Sequence, residues 1–104
     1  MHINARRTDD TLTLDLVGRL DINTAPALAQ QLGLDGVRHL VIDFDQCAYI
    51  SSAGLRELLR AQKQLAGAGG TMLLTNVGRE VQEVLDVTGF ASLIPSRRKI
   101  RQIS

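Results

Sequence analysis

The sequence has very few aromatic residues: two Phe, one Tyr and no Trp make up 3% of 104 positions. Its core must therefore be built from Leu, Val, Ile and Ala. Single-stranded nucleic-acid binding, which stacks bases on aromatic rings, has no platform here. Cysteine is almost missing as well. The lone Cys47 can close no internal disulfide and has no partner at zinc-like spacing, which suits a reducing cytoplasm. Neither sign of charge predominates, with 12 Lys and Arg against 11 Asp and Glu and a net charge of +1. That excludes the broad basic footprint of a protein held on nucleic acid or on an anionic membrane. Arg97, Arg98, Lys99 and Arg101 form one basic cluster, read as the solvated end of the chain. No apolar run reaches the length of a membrane span, and residues 1–8 are too polar for a secretory leader.

The usual signs of catalysis are also missing. His2 and His39 each lack a second ligand at metal-like spacing. Gly67, Gly69 and Gly70 follow a helical pattern and precede a strand. A phosphate cradle needs the reverse order, so that a helix N-terminus meets the anion. There is no Gly-x-Ser-x-Gly elbow. Asp43 and Asp45 are paired carboxylates of the kind used in acid–base work, but a strand-end and turn role accounts for both. The reading is a non-enzyme that holds no cofactor and no metal.

What is present is alternation and periodicity. Residues 3–7 read as a short strand. Residues 11–17 alternate Leu12, Leu14 and Leu16 against Thr11, Thr13 and Asp15, the pattern of a half-buried strand. Asn23 or Thr24 then caps a helix with Pro26 in its first turn and Gly33 at its end. Residues 40–44 form a nearly continuous apolar run, which predicts a strand buried on both faces. Leu55, Leu58, Leu59, Gln62 and Leu65 mark an amphipathic helix that stops in the glycines at 67–70. Residues 71–75 are another buried strand. Asn76 caps a further helix over Val77, Val81, Val84 and Leu85, which closes at Gly89. Residues 90–94 read as a last short strand. Strands separated by helices need crossovers, hence a partly parallel sheet. One domain spans 1–104, with its core at about 11–94 and a tail at 95–104.

The junction before the strongest helix stands out. Ser51 and Ser52 precede Ala53, Gly54 and Leu55. Serine is a favoured N-cap, so one of the two has a structural role. Glycine in a first helical turn costs up to ~1 kcal/mol relative to Ala, which makes sense if another molecule must approach the backbone there. Free amides and the helix dipole at this point also favour an anion. A phosphoserine would add roughly −1.5 to −2 charge, with Asp21, Asp43 and Asp45 at nearby element edges. This is the outline of a binding switch.

From residue 11 to about 94 the sequence resembles the STAS domain of bacterial anti-sigma factor antagonists. The matching stretches are LDLVGRLD at 14–21, LVIDF at 40–44, YISSAGL at 49–55, LLTN at 73–76 and VLDVTGF at 84–90. The resemblance implies an α/β fold with a four- to five-stranded mixed sheet and helices mainly on one side. It also implies partner switching. The unphosphorylated antagonist binds an anti-sigma factor that is a serine kinase, which frees a sigma factor; phosphorylation releases it, and a metal-dependent serine phosphatase restores it. Many members read Asp-Ser-Ser-Gly-Leu or Asp-Ser-Thr-Gly-Leu at this helix start. Here Ser51 stands in the Asp position and Ala53 in the last hydroxyl position, so Ser52 is the first choice of acceptor and Ser51 the second. If the family requires the acceptor where Ala53 stands, the protein is a constitutive binder. The resemblance places Asp21, Asn23, Ser51, Ser52, Ala53 and Gly54 on the partner surface, and Arg56 and Glu57, which follow on the exposed side of the helix, are further candidates for partner contact. With no long exposed apolar stripe outside the expected core faces, the protein reads as a monomer, with no nucleic-acid partner and no membrane insertion. The alternative is a STAS adaptor that is not phosphorylated, such as a subunit of a transporter ATPase assembly.

Overall fold

A computed structural model describes residues 1–99. The chain opens with two strands, β1 (His2–Thr8) and β2 (Thr11–Val17), joined at Asp9-Asp10 into an antiparallel hairpin. Asp9 takes a left-handed backbone, with φ at 53°. Next come α1 (Ala25–Gln31), β3 (His39–Gln46), α2 (Ser52–Gly67), β4 (Thr71–Val77) and α3 (Arg79–Thr88). A single 3-10 turn, Phe90–Ser92, leads to β5 (Ser96–Arg98). The five strands lie in the order β1-β2-β3-β4-β5. β2, β3, β4 and β5 run parallel, each pair separated by a crossover that carries a helix. The result is a mixed α/β sheet, as expected.

The strand registers put the core on one side. Leu12 pairs with Leu40 and Leu14 with Ile42, while Leu40 pairs with Met72 and Ile42 with Leu74. All six side chains are buried, together with Leu16 and Phe44. They join Leu28 of α1, Leu55, Leu58, Ala61 and Leu65 of α2, and Val81 and Leu85 of α3 in one apolar cluster. The helices thus cover one face of the sheet. On the other face Thr13, Val41 and Leu73 lie in register and are only half-buried. This corrects the expectation that 40–44 and 71–75 are buried on both faces. Val41 and Leu73 extend each apolar run, but no helix covers them.

Two other expectations change. Asn76 does not cap α3; Gly78 holds that position with no side-chain bond. Asn76 instead adopts a left-handed backbone, with φ at 54°, and its amide donates to Asp43 Oδ1 at 3.1 Å. The last strand falls at 96–98, within the stretch read as a tail, and 90–92 form the 3-10 turn. Arg97 and Arg98 lie on this strand. Lys99 follows it and pairs with Asp45 Oδ1 at 3.1 Å. Arg101, the fourth residue of the basic cluster, lies outside the described residues. Gly89 does close α3 in the left-handed conformation.

Candidate functional site

The two loops that leave β2 and β3 lie side by side at the C-terminal end of the parallel strands. They are tied by a parallel bridge between Leu20 and Ile50. Leu20 N donates to Tyr49 O at 3.0 Å, and Ser51 N donates to Leu20 O at 2.8 Å. Leu20 and Ile50 are apolar and buried, so burial of two side chains far apart in sequence draws the loops together. One loop leads to α1 and the other to α2.

The α1 loop is held by its own polar groups. Asp21 Oδ1 accepts from Asn23 N at 2.9 Å and from Thr24 N at 3.1 Å. The Thr24 hydroxyl donates to Arg19 O at 2.6 Å and accepts from Asp21 N at 2.8 Å. Burial by itself would raise the Asp21 carboxyl. The amides of Asn23 and Thr24, the Thr24 hydroxyl and the nearby Arg19 charge outweigh it and hold the carboxyl below the ordinary carboxylate range. Asp21 is thus a scaffold for its loop, and the Thr24 side chain makes no cap bond to α1. The side chain of the flanking Asn23 is exposed.

The two serines are distinguished by geometry. Ser51 is the N-cap of α2, and its hydroxyl accepts from Gly54 N at 3.3 Å. Ser52 is the first residue of the helix and is exposed. Gly54 N is satisfied by Ser51 and Ser51 N by Leu20, which leaves the amides of Ser52 and Ala53 as the open donors of that turn. Arg56 is exposed one turn further along the helix, and Ala53 is half-buried. Glu57 is half-buried and bonds Arg60 on its own helix.

Gly54 has a different reason from the one expected. It is buried, and a Cβ built on it would lie 2.6 Å from Leu20 Cγ and 3.2 Å from Ile50 Cγ1. The glycine lets the start of α2 pack on the loop bridge, so it faces inward and leaves no room for a partner's approach. The carboxylates also separate. Asp21 sits beside the serine loop. Asp43 bonds Asn76 and accepts from Asp45 N at 2.8 Å, and Asp45 pairs with Lys99. These last two reach toward β4 and β5.

Sequence reasoning missed an aromatic contact here. The Arg19 guanidinium stacks on the Tyr49 ring, 3.9 Å from its centroid. The two residues are brought together only by the Leu20–Ile50 bridge. Beneath them, buried Cys47 donates its thiol to Tyr49 O at 3.4 Å, and burial pushes that thiol up. A raised thiol is a weak nucleophile, so Cys47 is a packing residue.

A cleft of about 940 Å³ opens away from the serines, beside α3, lined by Asp45, Asn76, Arg79, Arg98 and Lys99 among others. No group of His, Cys, Asp or Glu among the described residues is placed to hold a metal ion. No described helix is long and apolar enough to cross a membrane. The serine site is an open surface around a helix start, between two loops tied by backbone hydrogen bonds.

Known proteins share the family and the fold of this chain. A family model described as the STAS domain matches residues 2–103. A Bordetella bronchiseptica protein, BtrV, named as a proposed anti-sigma factor antagonist, is 34% identical over 91% of this chain and 84% of its own length. The crystal structure of an anti-sigma factor antagonist from Mycobacterium paratuberculosis superposes with a TM-score of 0.81 at 25% identity, covering 92% of this chain and 84% of that one. The phosphorylated form of the Bacillus cell fate determinant SpoIIAA shares the fold at a TM-score of 0.74 and 17% identity, over 91% and 90% of the two chains.

Proposed function

The chain belongs to the STAS domain family, and from that premise we propose that it is an anti-sigma factor antagonist switched by phosphorylation of Ser52. The observation that carries this reading is the division of labour between the two serines. Ser51 uses its hydroxyl to cap α2, while the Ser52 hydroxyl is exposed at the helix start. A kinase can reach Ser52 without unmaking the cap. The Bacillus relative of the same fold has a phosphorylated form, which supports a phosphate on this scaffold.

In this scheme the partner is an anti-sigma factor that is itself a serine kinase. It docks on the surface formed by the α1 loop and the start of α2: Asn23, Ser52, Ala53 and Arg56, with Asp21 fixing the loop. The kinase transfers the γ-phosphoryl group of ATP to Ser52 Oγ; the hydroxyl proton leaves and ADP is released. The ester adds roughly −1.5 to −2 charge at the contact. The fold accommodates that charge because it meets a helix N-terminus. A partner surface matched to a neutral hydroxyl does not, and the complex separates. A serine phosphatase hydrolyses the ester with water and restores binding.

The test is phosphosite mapping by tandem mass spectrometry after exposing the protein to ATP and soluble extract of its source. Wild type, Ser52→Ala and Ser51→Ala are run together, with a phosphorylatable antagonist as positive control. A phosphate missing only from Ser52→Ala is expected. Loss only in Ser51→Ala would move the acceptor. An unmodified wild type beside a modified control would defeat the switch and favour a constitutive adaptor.

A further inference from the structure

Ile22 is 73% exposed, and nothing in the fold requires a large apolar side chain there. An isolated exposed Ile is ordinary. This one sits on a loop locked by the Asp21 and Thr24 bonds. The Leu20–Ile50 bridge sets that loop against the one bearing Ser52. In the adjoining loop Tyr49 is 38% exposed under the Arg19 guanidinium, and Arg56 is exposed one turn beyond Ser52. Rigidity matters because an anchor that is already ordered loses little entropy on binding. The buried centre of an interface is more apolar than its rim and is enriched in aromatic residues and arginine.

We propose that Ile22 is the apolar anchor of the partner contact. It enters an apolar socket on the anti-sigma factor, whose margin carries carboxylates facing Arg19 and Arg56. This rests on the function proposed above and adds the residue that supplies most of the affinity. It also gives the Ser52 phosphate a second effect. An anion one helical turn from Arg56 weakens the part of the rim that those carboxylates read, while Ile22 is left unchanged. Val87, 88% exposed on α3, is an equally apolar control outside this surface.

The experiment titrates the protein by calorimetry against each purified serine-kinase-type anti-sigma factor of its source. Wild type is compared with Ile22→Ser, Ile22→Leu and Val87→Ser, all checked for unchanged thermal melting. Ile22→Ser is expected to weaken the complex about tenfold or more, the effect of losing one buried aliphatic side chain. Ile22→Leu should bind within about threefold of wild type, and Val87→Ser like wild type. Equal binding by Ile22→Ser and wild type overturns the anchor while leaving the antagonist reading intact. Equal weakening by Ile22→Ser and Val87→Ser overturns it too, as non-specific adhesion. Wild type binding none of these factors overturns both readings.

Discussion

Ser51, Gly54 and Asp21 set the candidate site, each through a different term. Ser51→Ala should cost about 1 kcal/mol in urea denaturation through loss of the cap, while Ser52→Ala at the exposed neighbour should stay within about 0.5 kcal/mol. Equal losses would mean that the cap is shared. Gly54→Ala should destabilise by about 1 kcal/mol or more, because its Cβ meets Leu20 Cγ at 2.6 Å and overpacking outweighs the gain in helix propensity. A Gly54→Ala protein as stable as wild type would refute that packing. Asp21 is held below its ordinary pKa, so its contribution is full above the unfolded value near ~3.9 and is lost as pH falls through the lower folded value. Protection of the Asn23 and Thr24 amides, relative to their intrinsic exchange rates at each pH, should fall in that acid range in wild type. Asp21→Asn should lack the dependence; matching profiles would rule it out. The serines were legible as a helix start because capping is local in sequence. The reason for Gly54 was not, since Leu20 lies far from it along the chain.

Among the elements, α2 bears the switch. Ser52 and Arg56 are spaced i, i+4 and are both exposed, so a phosphate on Ser52 faces a cation on the same side of the helix. Together with the N-terminal dipole, this should raise the stability of the phosphorylated protein by about 1 kcal/mol, and Arg56→Ala should remove roughly half of that. Paired thermal melts of both proteins, with and without phosphate, read the difference; an unchanged gain in Arg56→Ala would exclude the pair. Helix positions followed from periodicity, and their starts and stops fell within about a residue or two of the capping signals. The 90–98 segment was read less well. A short apolar stretch such as 90–94 is ambiguous by pattern alone, and β5 contains no apolar residue. It is a strand because the edge of β4 was open to pair with it.

For the whole molecule, the two faces of the sheet differ in what they tolerate. Ile42 is fully buried under the helices, and its neighbour Val41 is half-buried on the uncovered face. Ile42→Thr should cost about 2 kcal/mol or more by burying a hydroxyl in place of apolar volume, and Val41→Thr less than about 1 kcal/mol. Comparable losses in denaturant titrations would show that the second face is covered after all. The sequence by itself determined the α/β class, the order of the elements, the helix start at the serines and the family resemblance, because all of these are written in short-range patterns. Only the tertiary structure decided which face of the sheet is bare, that Ser51 caps while Ser52 stays exposed, that Gly54 serves packing, and that Arg19 meets Tyr49. Each of those depends on the Leu20–Ile50 bridge or on strand register, which join residues that no local pattern connects.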